Sequence, residues 1–130
     1  MLHHIEINIS NLERSFEFYQ WLFSYIDYSL YQKWDKGFSY KKDFTYIVFV
    51  QTDNKYLKNK YHRKQTGLNH LAFLCDRETI DRLHQESINR GIHCLYDKHY
   101  PHADGNELYS LFLEDPDRIK LEFRDKRTIT

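Results

Sequence analysis

Three residues that lie far apart in the chain, His4, His70 and Glu122, have the side chains that bind divalent transition metals. Each lies in a short segment in which apolar and polar residues alternate, a pattern that predicts a strand with one apolar face. The apolar residues that set this alternation are Ile5, Ile7, Ile9, Leu71, Phe73, Ile119, Leu121 and Phe123. The two histidines and the glutamate therefore fall on polar strand faces. Two imidazoles and one carboxylate indicate a metal site that retains open coordination positions.

Other residues near these three are candidates for catalysis. Glu6 lies two residues from His4 on the same face, where it could act as a base or hold His4, or simply be an exposed carboxylate. Lys120 shares the face of Glu122 and could bind an anionic substrate group, although a strand lysine facing water is also ordinary. Tyr109 and the loop 99–102 fall where a lid over the site is expected. Polar loops often carry such residues without a role, and Tyr109 is kept as a candidate catalytic residue.

The first half of the chain predicts a strand, a helix and three further strands. Ser10 and Glu13 fit a capping box at the start of the helix, which is expected to run to about Ser24. The apolar stripe of this helix consists of Leu12, Phe16, Tyr19, Leu22 and Phe23. The strands are predicted at 2–9, 26–33, 37–41 and 44–51. A polar linker follows over 52–66, with one helical turn expected around 56–61.

The second half predicts the same order of elements. Asp76 is a plausible N-cap of a helix that ends near Arg90, with Gly91 after it. Its inward residues are predicted to be Ile80, Leu83 and Ile88. The strands of this half are expected at 67–75, 92–98, 107–114 and 119–124, with a turn at Asp115-Pro116-Asp117.

The order of elements therefore predicts a duplicated module. His4 and His70 are separated by the same offset as Ile26 and Ile92. We expect an α+β domain spanning 1–130, with module one at about 1–51, the linker at 52–66 and module two at about 67–125. The two βαβββ modules should form a curved, half-open mixed sheet with helices outside and polar faces inside.

The composition narrows the class of partner. Nineteen Lys and Arg residues balance nineteen Asp and Glu residues, so net charge gives no reason to expect nucleic acid or an anionic membrane surface. The start of the chain lacks the pattern of a secretory signal, and we expect a cytoplasmic protein. Cys75 and Cys94 are expected to be reduced, partly buried structural thiols without a disulfide. Eleven tyrosines and nine phenylalanines are unusual for this length, and some should line a cavity or an interface.

These features resemble the vicinal oxygen chelate superfamily, which includes glyoxalase I, extradiol dioxygenases, fosfomycin resistance enzymes and bleomycin resistance proteins. The resemblance covers nearly the whole chain. The segments that carry it are the run from His4 to Leu12 with Phe18-Tyr19 after it, the run Gly67 to Phe73, and the run Asp115 to Glu122. Three such signatures in order are specific for fold and much less so for reaction.

The resemblance implies that His4, His70 and Glu122 are the metal ligands. Where four-ligand members such as glyoxalase I have a second carboxylate, the equivalent position here is predicted to be Phe49, which cannot bind metal. Gln51, expected on the same face, is a weak substitute. Arg118 and Ile119 replace the Gly and Asn common after Asp-Pro-Asp, so the turn should be less relaxed.

Two functions of different classes follow from the resemblance. The preferred one is an enzyme that uses iron, manganese, nickel or zinc to stabilise an oxyanion on a small oxygen-rich substrate. A three-ligand site is similar to dioxygenases and fosfomycin-type transferases more than to glyoxalase I. The alternative is a non-catalytic protein that binds an antibiotic or another small molecule, as bleomycin resistance proteins do. A homodimer is expected in either case.

Overall fold

The computed structural model describes residues 1–128 and divides the chain into two compact units, Met1–Lys60 and Tyr61 onward. The boundary falls within the linker predicted at 52–66. Each unit contains one βαβββ module, which confirms the predicted α+β class and the duplicated element order. Unit 1 consists of β1 (His4–Ile9), α1 (Leu12–Tyr25), β2 (Ser29–Trp34), β3 (Gly37–Lys42) and β4 (Thr45–Gln51). Unit 2 consists of β5 (His70–Cys75), α2 (Arg77–Asn89), β6 (Cys94–Leu95), β7 (Ser110–Glu114) and β8 (Lys120–Asp125).

Each unit has a four-stranded mixed sheet of the same topology. The strand order is β1-β4-β3-β2 in unit 1 and β5-β8-β7-β6 in unit 2. In each sheet the first and last strands of the module pair in parallel, and the other pairs are antiparallel. Three single-turn 3₁₀ helices, Asn54–Tyr56, Asp97–His99 and Lys126–Thr128, complete the described elements.

One face of each sheet is covered by the helix of its own unit. In unit 1 the rings of Tyr19 and Phe49 stack with centroids 4.1 Å apart, and both side chains are fully buried. In unit 2 Phe73 and Phe123 stack at 5.6 Å, and Leu83 of α2 is fully buried. Burial of these aromatic and aliphatic side chains is the main stabilising contribution to each unit. No helix in the described part of the chain has the length and apolar character needed to cross a membrane.

The helix starts differ in how well the sequence predicts them. The predicted N-cap Ser10 is wrong by one residue, because Asn11 has the extended backbone of an N-cap and its side chain accepts from the amide of Arg14. Asn caps a helix as well as Ser does, so residue preference alone does not decide between Ser10 and the next residue, Asn11. Asp76 is confirmed as the N-cap of α2, since its carboxylate accepts from the amide of Thr79. That hydrogen bond lowers the pKa of Asp76.

The end of α2 is partly as predicted. Gly91 follows the helix with φ +71°, the left-handed conformation that favours glycine after a helix. The prediction that Ile88 faces inward is wrong, because this residue is 49% exposed. Ser87 is buried in its place, and its hydroxyl donates to the carbonyl of Leu83.

The strand register corrects the predicted counterpart of Glu122. In unit 2 Glu122 lies opposite Ala72, two residues after His70. The equivalent pair in unit 1 is Glu6 and Val48, so Val48 is the counterpart and the assignment to Phe49 is wrong by one residue. A shift of one residue reverses the face of a strand, and Phe49 accordingly packs under α1. The side chain of Val48, like that of Phe49, has no atom that can bind a metal.

Gln51 also lies on the helix side of its sheet, so the weak ligand role suggested for it is wrong. Its side-chain oxygen accepts from the amide of Leu12 at 2.9 Å, and its nitrogen donates to the carbonyl of Ser10 at 2.9 Å. The polar end of this strand therefore binds the start of α1.

Candidate metal centre

His70 and Glu122 are brought together by neighbouring parallel strands. The register places His70 opposite Lys120 and Ala72 opposite Glu122. Because side chains alternate, His70 and Glu122 project from the same face of the sheet, away from α2. Nε2 of His70 lies 3.2 Å from Oε1 of Glu122.

The carboxylate of Glu122 is buried, with the residue only 4% exposed. Its Oε1 faces His70, and its Oε2 accepts from the hydroxyl of Ser110 at 3.4 Å. Ser110 is itself buried on β7. Burying a charged carboxylate costs free energy unless a positive group or a metal compensates it. Whether the charge of Glu122 is compensated therefore depends on what lies between its Oε1 and Nε2 of His70.

The ring of His70 is oriented by its neighbour in the chain. Nδ1 of His70 lies 2.7 Å from Oδ1 of Asn69. An amide oxygen only accepts, so Nδ1 carries the hydrogen, and in a neutral ring Nε2 then presents a lone pair. That lone pair faces a carboxylate oxygen, and two acceptors at this distance repel unless a proton or a cation lies between them. A divalent metal satisfies both groups, and a metal-bound histidine commonly donates its other N–H in this way.

His4 belongs to unit 1 and lies on the polar face of β1, as predicted. Its ring stacks on Tyr46 with centroids 4.8 Å apart and an interplanar angle of 4°. Its Nδ1 lies 2.8 Å from Nδ1 of His3. The ring of Tyr31 also lies near this group, with its centroid 5.2 Å from that of Tyr46. His4 is therefore an exposed histidine in an aromatic setting, unlike His70.

The two charged residues predicted for catalysis lie on the same strand faces as the predicted ligands. Glu6 is exposed on β1, two residues from His4. Lys120 lies on the face of Glu122, where its Nζ donates to the hydroxyl of Tyr96 at 3.2 Å. The same Nζ lies 5.2 Å from the ring of Phe112, which lines this face.

Tyr109 lies on the other side of the unit 2 sheet. Its hydroxyl donates to Oδ1 of Asp81 on α2, and the guanidinium of Arg77 covers its ring. Burial and the bond to Asp81 raise the pKa of Tyr109. The catalytic role of Tyr109 stays a prediction. The lid position is wrong for Tyr100, because its hydroxyl donates to the same carboxylate and its ring stacks on His84 of α2.

Sequence reasoning missed the two residues that position the pair. Asn69 had one signal, an amide directly before a predicted metal ligand. Ser110 had a fainter one, a small polar residue inside an otherwise apolar strand. Its relevance depends on the register of β7 against β8, which the sequence alone does not define.

Comparison with known proteins places these features in context. The chain is 43% identical over 122 residues to the uncharacterized protein YqjT of Bacillus subtilis, covering 93% of this chain and 95% of the relative. It is 48% identical to a candidate glyoxalase from Bacillus halodurans, with a TM-score of 0.94 over 96% of this chain and 95% of that one. No protein-family model matches the chain.

More distant solved structures share the fold. A glyoxalase/bleomycin resistance protein/dioxygenase domain from Frankia has a TM-score of 0.74 at 18% identity, covering 100% of this chain and 94% of that one. The fosfomycin resistance protein FosX from Listeria monocytogenes has a TM-score of 0.70 at 19% identity, covering 96% and 92%.

Proposed function

The chain belongs to the vicinal oxygen chelate superfamily, and from that membership we propose that it is a metal-dependent enzyme acting on a small oxygen-rich molecule. The observation that carries the proposal is the 3.2 Å approach of Nε2 of His70 to Oε1 of the buried Glu122. Asn69 orients the ring so that Nε2 points at that oxygen. This is the arrangement of two donor groups that a divalent ion joins.

The residues proposed to hold the metal are His70, Glu122 and His4. The place of His4 in this set rests on its equivalence to His70 in the duplicated module and on the family resemblance. Iron, manganese, nickel and zinc all accept two imidazoles and a carboxylate. When bound, such an ion acts as a Lewis acid that stabilises an oxyanion on the substrate.

The side chains of this enzyme would bind and orient the substrate and move its proton. The ammonium group of Lys120, on the face of Glu122, would bind an anionic oxygen of the substrate. The exposed carboxylate of Glu6 would accept a proton from it. Val48 supplies no fourth ligand at the position equivalent to Glu122, and this favours a dioxygenase-like or fosfomycin-transferase-like reaction over that of glyoxalase I.

A specific observation supports a second candidate, a binding protein of the bleomycin resistance type. Tyr31 is 49% exposed, and its ring lies next to that of Tyr46. Nζ of Lys41 lies 4.5 Å from the centroid of the Tyr31 ring. An exposed aromatic with a nearby cation suits a planar ligand that stacks without reacting.

The exposed apolar residues Leu30 and Trp34 on the edge strand β2 would suit the subunit contact of a cytoplasmic homodimer.

Metal analysis of protein purified without chelators tests the enzymatic proposal. We expect about one equivalent of a divalent ion at this centre, measured by mass spectrometry of the metal and by calorimetric titration. His70→Ala and Glu122→Gln should each lose that equivalent, because the ligands left to them bind a divalent ion weakly. His62→Ala, which removes a histidine outside the proposed set, is the matched control and should retain it. Unchanged uptake by both ligand variants would refute the site.

A further inference from the structure

A second group of metal-binding side chains lies entirely within unit 2. It consists of His84 on α2, Cys94 on β6 and Asp97 in the 3₁₀ turn that follows, and one donor atom from each lies within 4.8 Å of the others. We propose that these three residues form a separate metal site, suited to Zn²⁺ or to a similar divalent ion that accepts sulfur and nitrogen.

The strand register separates this cluster from the candidate metal centre. Leu95 lies opposite Phe112, which in turn lies opposite Glu122, so these three share one face of the sheet. Cys94 lies opposite Leu113 and therefore projects to the other face, where α2 packs. The two groups lie on opposite sides of the same sheet, and an ion bound to one is not shared with the other.

The donor atoms of the cluster are held by contacts that do not require a metal. Nε2 of His84 lies 2.7 Å from Oδ1 of Asp97. The ring of His84 stacks on Tyr100 with centroids 3.8 Å apart, and the hydroxyl of Tyr100 donates to Asp81 one helical turn earlier at 2.6 Å. The orientation of the imidazole is thus set from two sides. A ligand set that is ordered before binding loses less entropy when the ion arrives.

The backbone between the other two ligands brings them together. Tyr96 lies between Cys94 and Asp97 and has φ +57°, a conformation that is uncommon for a residue with a bulky side chain. This left-handed residue ends β6 and turns the chain directly into the 3₁₀ helix that contains Asp97.

The chemistry of the three donors points to zinc. Zn²⁺ accepts thiolate, imidazole and carboxylate ligands in tetrahedral sites, and water can complete the fourth position. Hard ions such as Mg²⁺ and Ca²⁺ prefer oxygen ligands alone. Asp97 is half exposed and His84 is largely buried, so the site opens to solvent on the side of the carboxylate.

The main alternative to a metal site is a structural contact between His84 and Asp97 in which Cys94 takes no part. In that case the thiol of Cys94 keeps its proton and donates it to the carbonyl of Ile92, 3.8 Å away.

Titration of the full chain with Co²⁺ decides between a metal site and that structural contact. Cobalt replaces zinc in such sites, and a thiolate ligand gives an additional sulfur-to-cobalt charge-transfer absorption in the near ultraviolet. We expect this band in the wild-type protein, with loss of the band when Zn²⁺ is added in competition. Its absence at saturating Co²⁺ would overturn the proposal.

Two matched variants assign the band. Cys94→Ala should abolish it, whereas Cys75→Ala should retain it, because Cys75 lies at the end of β5 outside the cluster. A band that persists in Cys94→Ala would refute the assignment. His70→Ala should keep the band whether or not the candidate metal centre exists, so the failure of one proposal is distinguishable from the failure of the other. If Cys94→Ala does not fold, Asp97→Asn replaces it, and the expected result is at least about a tenfold weaker Co²⁺ affinity.

Discussion

In both units the first strand of the module pairs in parallel with the last strand, and the register makes the two sheets comparable residue by residue. His4 corresponds to His70, and Val48 corresponds to Glu122. His70 contacts a buried carboxylate, whereas His4 stacks on an aromatic ring at an exposed position. The duplicated scaffold has kept the histidine in both units, but it presents the carboxylate in only one of them.

A different pair of equivalent residues shows what the scaffold itself requires. Gln51 ends β4 and binds the start of α1 through Leu12 and Ser10. Asp125 is its counterpart at the end of β8, and Oδ2 of this carboxylate accepts from Nε of Arg77, the first residue of α2, at 2.6 Å. In both units the last strand thus binds the start of the helix. Unit 1 does so with a neutral amide and unit 2 with a fully buried charge.

The largest effect on stability is therefore expected at the charged contact. Asp125→Ala should lower the free energy of unfolding by about 2–3 kcal/mol, because it removes charge-assisted hydrogen bonds from a buried position. Gln51→Ala, the matched change in unit 1, should cost about 1 kcal/mol, since its hydrogen bonds are neutral. Chemical denaturation of both variants measures the difference. Equal losses would show that the charge adds nothing to the contact.

The same comparison predicts a pH dependence for the Asp125 contact, which the neutral amide of Gln51 does not have. Burial favours the neutral form of Asp125, but the hydrogen bonds from Arg77 and Arg127 outweigh it and lower the pKa of Asp125 below the ordinary value of 3.8. A lowered pKa in the folded state stabilises the protein above 3.8, and this contribution is lost as the pH falls through the folded value. The stability gap between wild type and Asp125→Asn should therefore narrow in acid. A constant gap from pH 7 to strongly acidic conditions would contradict the prediction.

A smaller effect is expected where the two histidines meet their neighbours in the chain. Asn69 precedes His70, and His3 is its counterpart before His4. Asn69→Ala should weaken metal binding by about 10- to 100-fold, because the His70 ring loses the bond that fixes its tautomer. His3→Ala should weaken it less, since Tyr46 still stacks on the His4 ring. Calorimetric titration of both variants tests the order, and a larger loss for His3→Ala would reverse the roles assigned to the two units.

The sequence predicts a feature of this fold only where the local pattern of residues is strong. The alternation around His4, His70 and Glu122 identified the correct strand faces, because the period of a strand is unambiguous when one face is uniformly apolar. The last strand of unit 1 was harder, since Tyr46, Ile47, Val48, Phe49 and Val50 are all apolar or aromatic and show no alternation. Its register comes from pairing with β1, a long-range contact that no local pattern encodes. For the same reason the sequence alone does not identify Val48 as the counterpart of Glu122.

The smallest expected effect concerns the turns before the last strand of each unit. Arg118 has φ +67° in the turn before β8, and Asp43 has φ +54° in the turn before β4. A left-handed conformation costs about 1–2 kcal/mol for most residues, but less for Asp, whose short side chain tolerates it. Arg118→Gly should therefore raise stability more than Asp43→Gly does.

Arg118→Gly also removes a hydrogen bond, because Nε of Arg118 donates to Glu114 at 3.0 Å. The loss of this bond has to be separated from the effect of the backbone conformation. Arg118→Ala loses this exposed contact and keeps the unfavourable φ. The free energies of unfolding of the Gly and Ala variants should therefore differ by the cost of the left-handed conformation, about 1 kcal/mol. Thermal unfolding of the three variants and the wild type measures both comparisons. If the Gly and Ala variants of Arg118 unfolded alike, the left-handed residue would carry no strain, and the glycine common at this position in the superfamily would need another explanation.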